Sequence, residues 1–179
     1  MRIIGGTHKG IILHVVKGLP VRPTTDRAKE SLFNIIENNF EIENLTILDL
    51  FSGTGNISYE FCSRNAESVD AVDINERCIL FINETKQKFQ FNNLYPVKKD
   101  VFKFLKSCDK KYDIIFADAP YAEKQTKEIP TLVTEKKLLN KNGWLIIEHE
   151  SNLDLSAESG YFDVRKYGQS AFSFFKMSE

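Results

Sequence analysis

Four carboxylates fall at or beside the ends of four β-prone runs: Asp49, Asp73, Asp100 and Asp118. In a parallel sheet such ends lie along one edge, beside the crevice where ligands of open α/β folds bind. Aspartate is also a common turn residue, so one acid at a strand end says little. Four in register define a pocket of negative potential, suited to a cation that also carries hydroxyls and an adenine amine. Between the first two acids lies Ser52-Gly53-Thr54-Gly55, a small-residue turn in which two glycines let the backbone approach a ligand closely. The dinucleotide pattern requires a third glycine where this chain has Ser58, and no lysine follows the turn, so a P-loop is excluded. Asp73 follows Gly55 by 18 residues, the position of a ribose-binding carboxylate in a doubly wound fold.

These side chains need strands to carry them. Ile47 to Phe51, Ser68 to Asp73, Tyr95 to Lys99, Tyr112 to Ala117 and Trp144 to Ile147 each read as a strand, the fourth apolar enough to be covered on both faces. Helices are expected after the glycine turn, ending near Asn65, and from an Asn75 cap to about Phe89. A short one is expected over Val101–Ser107, and another from near Pro130, acceptable as a first helical residue, to before Asn142-Gly143. Upstream, Arg2–Gly6 and Ile11–Val16 read as a hairpin. Thr24 or Thr25 then caps a helix whose stripe is Ala28, Leu32, Ile35 and Ile36. Phe162–Tyr167 and Phe172–Met177 suggest an antiparallel pair at the sheet edge. The expected fold is α/β and Rossmann-like: a mostly parallel sheet with an antiparallel C-terminal edge. Residues 1–40 form an N-terminal hairpin-and-helix extension packed on a core of residues 41–179, within one structural domain.

Composition narrows the function classes. At 179 residues, 42% hydrophobic and 27% charged, this is the make-up of one ordinary globular domain. No run is long and apolar enough for a membrane span, and the N-terminus does not read as a signal peptide. Cys62, Cys78 and Cys108 are odd in number, share no metal-ligand spacing and read as reduced core residues, so a cytoplasmic protein without a metal is expected. His8, His14 and His149 are expected to be partly exposed and non-catalytic. The net charge of −1 is unevenly spread: residues 1–30 carry +4 and the remainder −5. A polyanion-docking surface is therefore expected on the N-terminal segment, at Lys9, Lys17 and Arg22.

Taken together, the Asp49–Gly55 turn, Asp73, Asp100 and Asp118-Ala119-Pro120-Tyr121 resemble the motifs of class I S-adenosylmethionine (SAM) methyltransferases. The N-terminal Arg2-Ile3-Ile4-Gly5-Gly6, Lys9-Gly10 and especially Arg22–Asn34 are similar to the RsmD family, bacterial 16S ribosomal RNA guanine-N2 methyltransferases. The resemblance covers essentially the whole chain. It implies SAM as cofactor, held by Asp49, Ser52, Gly53, Thr54, Gly55, Asp73, Ile74, Asp100, Val101 and Asp118. The implied target is the guanine at position 966 of 16S rRNA, in the small ribosomal subunit or an assembly intermediate, and the protein is expected to be a monomer. Catalysis would fall to Asp118, Ala119, Pro120 and Tyr121. Lys9, Lys17, Arg22, Arg27 and Tyr121 would bind substrate. The family has proline where this chain has Ala119; alanine keeps the carbonyl acceptor but not the fixed φ. Alternatives are an amino methyltransferase acting on DNA adenine or protein glutamine, an NAD-linked oxidoreductase (disfavoured by Ser58), and a non-catalytic ribosome-assembly factor.

Overall fold

The computed structural model describes residues 1–15, 25–120 and 124–176. Seven strands form one sheet: β1 (Thr46–Leu50), β2 (Ser68–Asp73), β3 (Leu94–Lys98), β4 (Tyr112–Asp118), β5 (Leu139–Glu150), β6 (Tyr161–Tyr167) and β7 (Ser170–Lys176). Their spatial order is β3-β2-β1-β4-β5-β7-β6. β1 to β5 pair in parallel, while β7 runs antiparallel to both β5 and β6. The connections between the parallel strands carry α2 (Asn56–Ser63), α3 (Glu76–Phe89), α4 (Val101–Ser107) and α5 (Glu128–Glu135), and α1 (Asp26–Glu37) precedes the sheet.

Alternation along the strands sends side chains to two cores. Ile47, Val69, Ile114 and Ile146 join Leu32, Phe33 and Ile36 of α1, Phe61 of α2 and Ile82 of α3. Leu48, Leu50, Val72, Ile115 and Leu145 pack instead with Leu105 of α4 and Val133 of α5. Ile3 and Leu13 from the N-terminal segment belong to the first core. No helix among the described residues is long and apolar enough to cross a membrane.

Four expectations need correction. The expected N-terminal hairpin is a single antiparallel bridge, Arg2 to Ile12, with flanking backbone bonds between Ile3 and Ile11 and between Met1 and Leu13. Its tip, Gly6–His8, is a 3-10 turn bound to the end of α2: the His8 N–H donates to Ser63 Oγ at 2.9 Å, and Thr7 Oγ1 donates to the Ser63 carbonyl at 3.1 Å. Pro130 is the third residue of α5, not the first. The early N–H groups of a helix lack intrahelical partners, so proline is tolerated there too. Asn142-Gly143 does not end an element but lies inside β5, with Asn142 at φ 65° and a register shift opposite Tyr112 to Ile114. A left-handed residue in a strand marks a bulge as readily as a stop. Gly143 is needed there because a Cβ would lie 2.8 Å from the Asp113 carbonyl oxygen. Lastly, His149 is buried, its Nε2 sharing a 2.7 Å hydrogen bond with Ser173 Oγ, and desolvation lowers its pKa. Val16, Thr24 and Met177 lie outside the described residues.

Candidate functional site

A cleft of about 660 Å³ opens at the carboxyl ends of the parallel strands. Asp49, Asp73, Asp100 and Asp118 all line it, together with Ser52, Gly53, Thr54, Ile74, Val101, Ala119 and Pro120. Sheet register explains the convergence: Asp49 lies opposite Ala71 and Phe116, two strands whose own acids come two residues later. Gly55 sits behind the cleft as the N-cap of α2, at φ 83°; a Cβ there would meet the Tyr59 ring at 2.8 Å. Lys9 and Arg27 are exposed and apart from the lining. Lys17, Arg22 and Tyr121 lie outside the described residues.

The turn after β1 is tighter than its glycines alone suggest. Phe51, Gly53 and Gly55 all take positive φ, at 57°, 51° and 83°. A bulky residue is strained in that conformation, and such strain collects where a backbone must be held in one shape. Asp73 supplies much of the holding. Its Oδ2 accepts from the Gly53 N–H at 2.8 Å and its Oδ1 from the Asn75 N–H at 2.7 Å. A carboxylate has about four lone-pair sites, so two remain for a ligand. Ser52 Oγ is buried at the cleft and has no hydrogen-bond partner among the described residues.

Asp49 is a different kind of acid. Only 2% exposed, it accepts a 2.5 Å hydrogen bond from Ser58 Oγ. Desolvation outweighs that bond and raises its pKa from 3.8 to about 7. Ser58, which breaks the dinucleotide pattern, is thus the residue that anchors Asp49. Asp100 caps α4, accepting from the Lys103 N–H at 2.9 Å while still bordering the cleft. Together the site offers hydrogen-bond acceptors, a hydroxyl and apolar walls, with a carboxyl poised to ionise beside a cation.

Several lining residues escaped the reading of the sequence. Glu148 stands in register with Asp118 at the end of β5 and is buried in the cleft wall. It extends the series of strand-end acids to a fifth strand, a signal hidden by ending that strand at Ile147. Thr25 and Ala28 arrive from α1, and Tyr167 and Ser170 from the β6–β7 turn; no local pattern announces contacts over such distances. Asn56, also lining, is tied to α1: Lys29 Nζ donates to its Oδ1 at 2.9 Å.

A family described as "Conserved hypothetical protein 95" matches residues 1–176. Ribosomal RNA small subunit methyltransferase D of Buchnera aphidicola subsp. Baizongia pistaciae is 32% identical, covering 86% of this chain and 78% of that protein. Its namesake in Escherichia coli K12 is 29% identical over 89% and 77%. Among solved structures, "Putative methyltransferase yhhF" of Escherichia coli superposes with a TM-score of 0.86 at 26% identity, covering 100% of this chain and 99% of that one. Continuous matching from the first residues to β7, in sequence and in fold, places the chain in the conserved hypothetical protein 95 family, to which the ribosomal RNA small subunit methyltransferase D (RsmD) proteins belong.

Proposed function

We propose that this chain is a cytoplasmic SAM-dependent methyltransferase acting on the exocyclic N2 amine of a guanine in 16S rRNA, with residues 41–179 as catalytic core and 1–40 as extension. The observation that carries the reading is one cleft bordered by Asp49, Asp73, Asp100 and Asp118 at successive strand ends. The cleft fits SAM on three counts. Asp73 keeps acceptor sites for ribose hydroxyls, Ser52 Oγ is a buried hydroxyl with no partner among the described residues, and Asp49 can balance a ligand cation. Ile74 and Phe102 add apolar surface for a flat base. When bound, SAM supplies an electrophilic methyl group.

The chain's own part is to prepare the nucleophile. A guanine amine donates its lone pair into the ring and is weakly nucleophilic as it stands. The Asp118 carboxylate and the Ala119 carbonyl, accepting from its two N–H bonds, turn that lone pair out of the ring plane. Asp118 also stabilises positive charge developing on nitrogen, an interaction that strengthens toward the transition state. Tyr121 offers the base a face on which to lie once it has left its stack. Relatives named rRNA small subunit methyltransferase D favour rRNA as the acceptor. The test is to incubate the protein with labelled SAM and separate RNA, DNA and protein fractions. Label in RNA supports the reading; label confined to DNA or protein sends it to the corresponding amino methyltransferase. SAM binding without transfer to any fraction indicates an assembly factor.

A further inference from the structure

β3 is one of the two edge strands of the sheet, and the lysines gathered along it do not line the cleft. Between residues 86 and 111 the chain holds eight lysines and two aspartates, although its net charge is −1. They come from the end of α3, β3, α4 and the turn before β4, at this edge or one strand in from it. Lys86 Nζ stands 5.1 Å from the centre of the Tyr95 ring. Tyr95 is 49% exposed and in register with Asp70, which takes Lys110 Nζ at 2.8 Å. Lys99 Nζ donates to Ser107 Oγ at 2.7 Å, joining β3 to α4, where Lys103 and Lys106 are exposed.

Acids on neighbouring elements neutralise only part of this charge. Glu76 pairs with Lys98 at 3.0 Å, Asp70 with Lys110, and Asp100 caps α4. Among the described residues, Lys88, Lys103 and Lys106 have no acidic partner. Lysine on an edge strand also deters strand-to-strand aggregation. That role asks for cations on β3 itself, not on α3 and α4.

Both ends of the stripe meet elements that the RNA reading already uses. At one end, His8 lies 3.1 Å from the Phe89 carbonyl through Nε2, with its ring 4.5 Å from that of Phe91. The exposed Lys9 of the N-terminal segment therefore adjoins the α3–β3 turn. At the other end, Lys99 immediately precedes Asp100 and Val101 of the cleft wall. We propose that the β3 edge is an RNA-docking surface that holds phosphates flanking the target nucleotide, with Tyr95 as a base-stacking platform. It extends the docking surface beyond residues 1–30, where the division of charge had placed all of it. This inference rests on the proposed rRNA substrate.

The test neutralises four exposed lysines together: Lys88→Gln, Lys98→Gln, Lys103→Gln and Lys106→Gln. Affinity for protein-free 16S rRNA is measured across a salt series, and SAM affinity serves as the check on folding. Each lost phosphate contact removes about 0.7 from the slope of log affinity against log salt for single strands, so the slope should fall by about 3 while SAM affinity is unchanged. Tyr95→Ala should weaken RNA binding without altering the slope. A variant slope equal to that of a salt-sensitive wild type overturns the edge surface and leaves the rRNA reading standing. Wild-type RNA affinity that does not vary with salt overturns the edge surface as well, whereas a wild type that binds neither free rRNA nor small subunits overturns both. If the four substitutions abolish binding to phosphatidylserine vesicles and leave RNA binding intact, the edge is a membrane surface and the proposal falls.

Discussion

Replacing Lys29 by methionine should destabilise the fold by about 3 kcal/mol, and the structure shows why. Lys29 is 1% exposed and Glu60 0%. The ammonium has three protons to donate and three acceptors around it: the Arg2 carbonyl at 2.6 Å, Asn56 Oδ1 at 2.9 Å and Glu60 Oε1 at 2.9 Å. Glu60 in turn accepts from the Ile4 N–H at 2.6 Å and pairs with Arg64, whose Nε reaches Glu37 at 2.7 Å. One buried charge thus ties the N-terminal segment, α1 and α2 together beside the cleft. Removing one partner of a buried pair costs roughly 3–5 kcal/mol. Arg64 still compensates Glu60 here, which places the loss at the lower end. For a chain of this size it lowers the melting temperature by about 6–12 °C. Thermal and urea denaturation at pH 7 measure the loss, and calorimetry should show weaker SAM binding because Asn56 loses its anchor. Pairing Lys29→Met with Glu60→Gln should cost less than the sum of the two single changes, by at least about 0.5 kcal/mol. A Lys29→Met protein within about 0.5 kcal/mol of the parent, the range of an ordinary surface substitution, would mean that the buried pair does not hold these elements together.

Other predictions concern the cleft acids. Asp49 has a folded-state pKa raised from 3.8 to about 7, so the unfolded chain loses this proton first. Stability should fall as pH rises between those values, by on the order of 4 kcal/mol, and level off above pH 7. Asp49→Asn should flatten that decline in a pH series of urea melts; a decline that persists places its origin elsewhere. A cationic ligand favours ionised Asp49, so SAM affinity should rise about tenfold from pH 6 to pH 8 in the parent and stay level in Asp49→Asn. Asp73→Ala should lose at least about 1.5–3 kcal/mol of SAM affinity, since it removes acceptors from the ligand and also unties Gly53 and Asn75. Unchanged calorimetric affinity in a folded variant would contradict this. Asp118→Ala should reduce the methylation rate far more than SAM affinity; turnover within a few-fold of the parent would remove Asp118 from the acceptor role.

Much of this architecture was legible because short-range patterns carried it. β2 spans Ser68–Asp73 as its β-prone run closing on an acid predicts, and Thr25 and Asn75 cap α1 and α3 through the side-chain bonds that their chemistry allows. The four acids converge because strand ends, once identified, share an edge. What stayed hidden depends on distant partners. Lys29 sits among Arg27, Ala28 and Glu30 like any solvated lysine, and nothing local reveals that Glu60 lies against it. Phe51 gives no sign of its left-handed backbone, which the surrounding turn imposes. The basic β3 edge stayed hidden for a related reason. Summing over everything after residue 30 averaged a basic edge with an acidic remainder, whereas phosphate responds to local potential.

The proposed reaction is methyl transfer to a guanine amine of 16S rRNA. Its most direct test is nucleoside analysis of 16S rRNA from cells lacking this gene, after incubation of their small subunits or free rRNA with the purified protein and labelled SAM. Label is expected in N2-methylguanosine at a single position, one left unmethylated when the gene is absent. Label in another nucleoside, or none from a folded protein that binds SAM, would contradict it.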